Sequence, residues 1–570
     1  MSRGAKIFLV VIFVAFAILV ALAVFISYKL SLVTPKVKSG SVLVINLQGE
    51  IPEISPVDPF SQFLMKGVIS HDKIINSIKY AAADSRIKAA FINTNFPQIG
   101  WARAEEIAAA LKEFKKSKKP LISYYELANN MDYYIASTAD KVIAAPSGFL
   151  VLNGLYAELP FFKDLFDKVG IEAELEHIGD YKSASDIFTR KSASEAHLEM
   201  INWLLDNMQN NLLLQIKESR KTEENELKAL INRGFFGAEE ALKSKLIDEI
   251  GYRDEVIEKH LKSKKDDVIF LADYYKSIKN DLNGEGRKIC LIYAVGTIES
   301  GKGQEGQSIG SDTMTEWIRD CYKDDSIKAI VMRVNSPGGS GIASDVIWKE
   351  VMNAKNKRIP FVVSMSDVAA SGGYYISMAA DAIFAEKTTL TGSIGVISGK
   401  FYINGLFQKL GVHYDIVKKA DNADLFSSIT HFTEEQRELI KEHMKSFYDL
   451  FISKAAKGRK LTTDYIDNVG RGRVWTGQQA KEHKLVDMIG TLDDAIEYTK
   501  KLAKIPKDEK VKLIIYPRKK NFFEALMELD AVGDLIRKSE LKDYYYIKHL
   551  ISIYSREPYL AVMPDIKISR

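Results

Sequence analysis

SMSDVAASGGYY at residues 364–375 has a blunted second copy in the same chain, SYYELANNMDYY at 123–134. Both begin in a β-rich run, end in paired tyrosines and continue into a helix-like segment. Where the later copy carries Ser371-Gly372-Gly373, the earlier carries Asn130-Met131-Asp132. A chain that keeps two versions of one segment, with the serine in only one, calls for comparison along its whole length.

The repeat is extensive. IKAAFINTNFPQIGWARAEEIAAALKEFKKSKKP at 87–120 matches IKAIVMRVNSPGGSGIASDVIWKEVMNAKNKRIP at 327–360, offset by 240. FDKVGIEAELEHIGDYK at 166–182 matches FQKLGVHYDIVKKADNA at 407–423, and FGAEEALKSKLIDEIG at 236–251 matches WTGQQAKEHKLVDMIG at 475–490. A period this long is a duplicated domain and not a solenoid repeat. It sets the expected boundaries at 41–285 and 286–515, joined by the polar stretch KNDLNGEGRK at 279–288. Within each copy, short β-rich runs such as KAIVMRV and PFVVSMS alternate with helical segments, the pattern of an α/β fold with a mainly parallel sheet. A longer helix follows in both. Thr433 and Gln436 form a capping-box pattern ahead of Ile440, Met444, Phe447 and Phe451, while Leu198, Ile201, Leu205, Met208 and Leu212 form the matching stripe in the first copy. These stripes read as core or interface.

The chain has 570 residues, too many for one ordinary core. Its 79 basic and 75 acidic residues nearly balance, which argues against a nucleic-acid partner. Cys290 and Cys321 can make one disulfide but neither a disulfide framework nor a zinc site. Ile7 to Ser27 is 21 residues without a charge, long enough at about 1.5 Å per residue to cross the roughly 30 Å hydrocarbon core. The run exceeds the usual apolar region of a cleaved signal peptide, and no clear A-x-A site follows, so residues 1–40 are expected to hold a retained transmembrane anchor. Arg3 and Lys6 before the span are offset by Lys29, Lys36 and Lys38 after it, and an exported body is the simplest arrangement. Residues 516–570 have no second copy. FFEALMELDAVGDLI there reads as an amphipathic helix, and the tail is expected to be helical.

NSPGGSG at 335–341 lies between a strand and a helix, where two glycines let the backbone turn and present N–H groups to a negative oxygen. Ser371 lies at another strand-to-helix junction, among Ala369, Ala370, Gly372 and Gly373. Taken alone it reads as a helix cap. As a nucleophile it needs a base, and none of the nine histidines lies near it in sequence; His413 and His431 remain as distant candidates. The alternative is a lysine kept neutral by burial. Lys182, in GDYKSA of the first copy, aligns with Ala423 of the second. The first copy therefore has the lysine without the serine, and the second the serine without the lysine. The glycine loop follows the serine, with Gln98 and Ile99 standing where the second copy has Gly338 and Gly339. One site assembled from both copies accounts for this reciprocal replacement; independent drift is the competing account.

SDVAASGGYYISMAADAIFAEKTTLTGSIGVI, RVNSPGGS and GDYKSASDIF together resemble the long, tandem form of the bacterial signal peptide peptidases, serine peptidase family S49. The similarity runs from about residue 40 to 510 with the three motifs in the family's order. The resemblance implies tandem crotonase/Clp-protease-like domains of ββα-type repeats behind an N-terminal transmembrane helix. It implies a Ser-Lys dyad with Ser371 as nucleophile and Lys182 as general base, and an oxyanion hole from the N–H groups of Gly339 and Gly372. Gly338 and Ser393, in or beside the same loops, become candidate substrate contacts. It further implies a membrane-bound homo-oligomer of the bacterial inner membrane, its catalytic body in the periplasm, degrading cleaved signal peptides. No nucleic-acid partner is expected. No H-E-x-x-H, C-x-x-C or P-loop pattern occurs, so no metal or cofactor is expected. Two other readings compete: a crotonase-like enzyme acting on acyl-CoA, and an inactive membrane scaffold that binds peptides.

Overall fold

The computed structural model describes residues 35–57, 68–263, 267–282, 284–304, 306–518 and 558–569. The expected anchor at 7–27 lies outside these. Among the described residues no helix is long and apolar enough to cross a membrane.

Each copy builds one sheet around the same central order. In the first, the strands run Gly234–Gly237, Lys141–Leu152, Leu121–Ala128, Ile87–Gln98, Ser41–Glu50 and Val268–Phe270. In the second they run Val474–Thr476, Leu390–Gly392, Phe361–Ala370, Ile327–Ser336, Lys288–Val295 and Lys512–Tyr516. The central neighbours are parallel. Parallel strands need crossover helices, which cover both faces, so β-branched runs such as IKAIVMRV are buried along almost their whole length. The mixed α/β class read from the alternating pattern is therefore the observed one. Cys290, on a central strand, and Cys321, on the helix Ser311–Lys323, form a disulfide.

The long helices behave as their stripes predict, with two exceptions. Thr433 and Gln436 close a capping box on the helix Glu434–Arg459, and Ile440, Met444, Phe447 and Phe451 are buried. In the partner helix Glu195–Arg220 the buried face runs through Ile201, Leu204, Met208 and Leu212. Leu198, placed in that stripe by spacing, is 49% exposed and Leu205 is half-buried, because the buried face runs through His197, Met200 and Leu204 in their place. The helix Leu271–Leu282 runs on into the stretch read as a linker.

A third, six-stranded sheet ties the copies together. Its order is Ser308–Gly310, Thr297–Glu299, Gly338–Ser340, Leu560–Val562, Val396–Tyr402 and Glu172–Ile178. Glu172–Ile178 of the first copy lies antiparallel to Val396–Tyr402 of the second, with Ile178 opposite Val396. This pairing ends four residues before Lys182. Leu560–Val562 comes from the C-terminal tail. The amphipathic helix expected there lies outside the described residues, whereas the described end, 558–569, is extended and strand-forming, a departure from an all-helical tail.

The copies also share a buried ionic cluster. Arg333, 1% exposed, donates to Glu53 at 2.7 Å and to both oxygens of Glu106 at 3.0 and 2.7 Å. His71 Nε2 lies 2.6 Å from Glu106 Oε2, the oxygen that Arg333 contacts at 2.7 Å. Burial works against charge on both carboxylates, but the guanidinium prevails and holds each at a pKa of about 2.

Candidate active site

Ser371 joins the strand Phe361–Ala370 to the short helix Gly372–Ser377. The turn is so tight that Ser371 takes φ 56°, ψ −112°, a conformation that costs a side-chain-bearing residue roughly 1–3 kcal/mol. It is held there by its N–H donating to Gly392 O at 2.8 Å and its carbonyl accepting from Tyr375 N–H at 2.8 Å. Its hydroxyl makes no capping bond, so the helix-cap reading fails.

The hydroxyl instead lies 2.7 Å from Lys182 Nζ. Lys182, Ser371 and Ser393 are all fully buried. Lys182 Nζ also lies 2.8 Å from the Ser393 carbonyl and 3.0 Å from the Ser393 hydroxyl. All three partners are neutral oxygens. Burial without a compensating carboxylate pushes the lysine pKa well below its usual value. The sequence-predicted pair is thus brought together within one chain, across 189 residues. Neither distant histidine joins it: His413 lies in an exposed stretch, and His431 stacks on Tyr402 beside Glu174.

The lysine is placed by its backbone. Tyr181 N–H donates to Arg471 O at 3.0 Å, Gly472 N–H to Ile394 O at 2.7 Å, and Ser393 N–H to Arg473 O at 2.6 Å. Gly472, at φ +84°, packs so closely that a Cβ there would sit 2.3 Å from Lys182 N. Neither Gly472 nor the lysine-binding role of Ser393 is marked by a motif. The repeat holds one overlooked signal, since Gly472 stands where the first copy has Arg233.

The glycine loop lies against the nucleophile's helix. Gly338 has φ +102° and Gly339 φ +153°, and a Cβ on Gly338 would come within 2.7 Å of Gly372 N. The Gly338 N–H is taken by the Ser336 hydroxyl at 3.2 Å, which leaves Gly339 and Gly372 as the residues of these two elements whose backbone N–H groups can serve an oxyanion hole beside Ser371. In the first copy the matching place is filled by its own polar groups. Asn130, at the position of Ser371, donates to Asn153 at 3.0 Å and Gly154 O at 3.1 Å, while Asp132 and Asn129 cap the helix reciprocally. Ala423, at the position of Lys182, is exposed.

The sequence profile of peptidase family S49 matches this chain twice, at 113–266 and 353–506. The chain belongs to family S49. It is a serine protease with a duplicated S49 domain. The chloroplastic serine protease SPPA of Arabidopsis thaliana is 36% identical over 492 residues, 84% of this chain and 72% of that one. Protease 4 of Haemophilus influenzae is 31% identical over 461 residues, 78% of this chain and 74% of that one. Among solved structures, a ClpP1 mutant of Listeria monocytogenes matches 38% of this S49 chain and 98% of its own at 14% identity, with a TM-score of 0.25, too low to define the fold. S49 membership removes the motive for the acyl-CoA and inactive-scaffold readings.

Proposed function

We propose that this S49 protease is a membrane-anchored signal peptide peptidase that hydrolyses apolar peptides through a Ser371–Lys182 dyad. The carrying observation is the 2.7 Å approach of Lys182 Nζ to Ser371 Oγ with no carboxylate beside it. A neutral amine has two N–H donors and one lone pair. The Ser393 carbonyl can only accept and takes one N–H; the Ser393 hydroxyl takes the other. The lone pair then faces the Ser371 hydroxyl, which donates to it. Ser393 is thereby the group that orients the base.

As Ser371 Oγ attacks a peptide carbonyl, its proton passes to Lys182. The oxygen that gains charge lies toward the N–H groups of Gly339 and Gly372. Lys182 returns the proton to the leaving amine, and water hydrolyses the acyl-enzyme. Removing one such N–H donor costs about 10²–10³ in rate. Apolar substrates are supported by Phe166, Ile187, Phe188, Ile397 and Phe401, which pack around Leu560 and Val562 of the strand paired with the glycine loop. The charge-free run at 7–27 supports anchoring, with the body on the periplasmic side of a bacterial inner membrane. We assign the tandem ββα units to the crotonase/Clp-protease architecture on the same resemblance.

Assembly into a homo-oligomer is supported by the repeat. The strand 172–178 reaches from the first copy to 396–402 of the second, yet its own counterpart, 413–419, lies in no sheet of the described residues. Leu410, Val412, Tyr414, Ile416 and Val417 are exposed there, Val417 by 83%. A second chain offers a partner at 155–161, where Ala157–Glu158 is paired with Lys567–Ile568 along one edge and the opposite edge would extend the contact head to tail. Val417→Asp would then lower the mass measured by light scattering.

The dyad is tested with detergent-solubilised protein and an apolar fluorogenic peptide. Ser371→Ala and Lys182→Ala should each abolish cleavage while the protein stays folded. An active Lys182→Ala would move the base elsewhere.

A further inference from the structure

The strand that leads to Ser371 is interrupted just before it. Val334 pairs with Met365 and Ser336 with Ala369, so Asn335 alone stands opposite three residues, Ser366, Asp367 and Val368. A bulge of this kind bends its strand and re-aims the side chains beyond it. Between Val362 and Ser364 the strand pairs with Ala382–Ala385, but from Val368 to Ala370 it pairs with Leu390–Gly392. Gly392 O is the acceptor that holds Ser371 N–H. The bulge is therefore where the strand changes neighbours, and where the direction of the nucleophile is set.

The first copy holds this bulge. The Ser366 hydroxyl donates to Glu53 Oε2 at 2.6 Å, and Asn335 Nδ2 donates to the same oxygen at 3.0 Å. Asp367 reaches further. Its carboxylate accepts from the N–H groups of Gly100 and Arg103, each at 3.0 Å, and from the Arg103 guanidinium. Arg103 is tied in turn to Ile51 O at 2.6 Å. Gly100 is the cap residue of the helix Trp101–Lys116 and Arg103 its third residue, and Gly100 has no side chain to cap with. Asp367 thus supplies the missing N-cap from the other copy, with its negative charge at the positive end of the helix dipole. A Cβ on Gly100 would lie 2.2 Å from Asp367 Cγ, so the glycine leaves the room this cap needs.

The repeat marks the cap as borrowed. The matching helix of the second copy, Gly341–Asn356, is capped by its own Ser340, whose hydroxyl accepts from Ala343 N–H at 3.1 Å. Ser340 stands where the first copy has Gly100, and Asp367 where it has Glu126, which is exposed. The capping group has moved between copies, as the serine and the lysine have. We propose that Asp367 is a positioning residue for Ser371: anchored on the helix Trp101–Lys116, it fixes the bulge and thereby aims the nucleophile. The first copy then contributes the base through Lys182 and the direction of the serine through Gly100 and Arg103. This rests on Ser371 being the nucleophile, and the test keeps the two apart.

Full-length wild type, Asp367→Ala and the double variant Gly100→Ser/Asp367→Ala are compared. The double variant gives the helix a capping hydroxyl of its own and removes the three atoms nearest the new Cβ, but leaves the bulge untied. The readouts are the urea midpoint, kcat and KM on an apolar fluorogenic peptide, and the rate at which a fluorophosphonate labels Ser371. Asp367→Ala should lower the midpoint, and should lower kcat and labelling by about 10²-fold with KM little changed, the cost of about 1 Å of misplacement. The double variant should regain the midpoint but not kcat. The acidic limb of kcat/KM should keep its position, because Lys182 is untouched. Wild-type kcat in Asp367→Ala, or recovery of kcat together with the midpoint, overturns the proposal and leaves Asp367 a helix cap only. A displaced limb also overturns it, since the effect would then run through the base. Should Asp367→Ala fail to fold, Asp367→Glu carries the test: its carboxylate lies one methylene further out, the same fall in kcat is expected, and wild-type kcat overturns the proposal. An active Lys182→Ala alongside a slow Asp367→Ala refutes only the base, whereas a Ser371→Ala chain that still cleaves overturns both readings.

Discussion

Gly472→Ala is the sharpest probe of how the base is held. The glycine has φ +84°, and a Cβ there would lie 2.3 Å from Lys182 N, 2.5 Å from its Cα and 2.7 Å from its Cβ. Carbon contacts settle near 3.5–4.0 Å, so the two backbones must part by about 1 Å. All three clashing atoms belong to Lys182 itself, and no flexible side chain can absorb the shift. A displacement of about 1 Å at a reacting group costs on the order of 10²-fold in rate, or about 2.7 kcal/mol. The left-handed backbone adds about 1–2 kcal/mol of lost stability for any side-chain-bearing residue. Gly301 separates the two effects, because it has the same φ of +84° and a Cβ there would meet nothing within 4 Å. Both alanine variants should lose the left-handed strain in urea titrations, and Gly472→Ala should lose more, because its Cβ also meets buried backbone. Only Gly472→Ala should lose kcat by about 100-fold with KM little changed, because the base moves and the groove does not. Equal kcat for the two variants would refute the view that backbone packing positions Lys182.

The pH dependence follows from the lysine. Its pKa is depressed by burial, so the unfolded chain binds more protons between the folded and unfolded values, and stability rises with pH across that window. The same step frees the base, so kcat/KM should climb with pH along a limb below the ordinary lysine range; a falling profile there would contradict it. Arg333→Met leaves Glu53 with only Arg103, 3.7 Å away, and Glu106 with only His71, and should cost about 3–5 kcal/mol by urea denaturation. Because both carboxylates are held near 2, their stabilisation is complete above the ordinary carboxylate range of about 4.3 and is lost as pH falls toward 2, so the wild type should show an acid transition there. Ser371→Gly should be more stable than Ser371→Ala by about 1 kcal/mol, since both lose the hydroxyl but only glycine accepts φ 56° without strain. Equal midpoints would show that the junction stores no strain.

The division of the site was legible because the repeat supplies an internal control. Ser371 against Asn130, Lys182 against Ala423 and Gly339 against Ile99 are replacements that single-copy reading would pass over. The sheet class was legible from β-rich runs whose neighbours are helical. Contacts made only by distant folding left weaker marks. Arg333 interrupts the apolar run KAIVMRV and so announces a buried charge, but its carboxylates lie 280 and 227 residues away. Ser393 looks like any loop serine until φ 53° turns it toward Lys182. The run YLAVM is too short to separate strand from helix by periodicity, and its pairing partners precede it by some 160 to 220 residues.

Splitting the site between copies also relieves a physical conflict. A buried lysine without a counter-ion and a serine at an unfavourable φ each destabilise the element that carries them. In this chain they sit in different copies, and each is compensated locally. Asn130 replaces the strained serine with an amide that is satisfied by Asn153 and Gly154. The lysine arrives at the end of a seven-residue strand whose partner belongs to the other copy. On the dyad reading the base is therefore in place only when the copies are docked, and the contacts of Arg333 with Glu53 and Glu106 span the same junction. On the proposed dyad, catalytic competence and interdomain packing are coupled, because separating the copies also separates the lysine from Ser371.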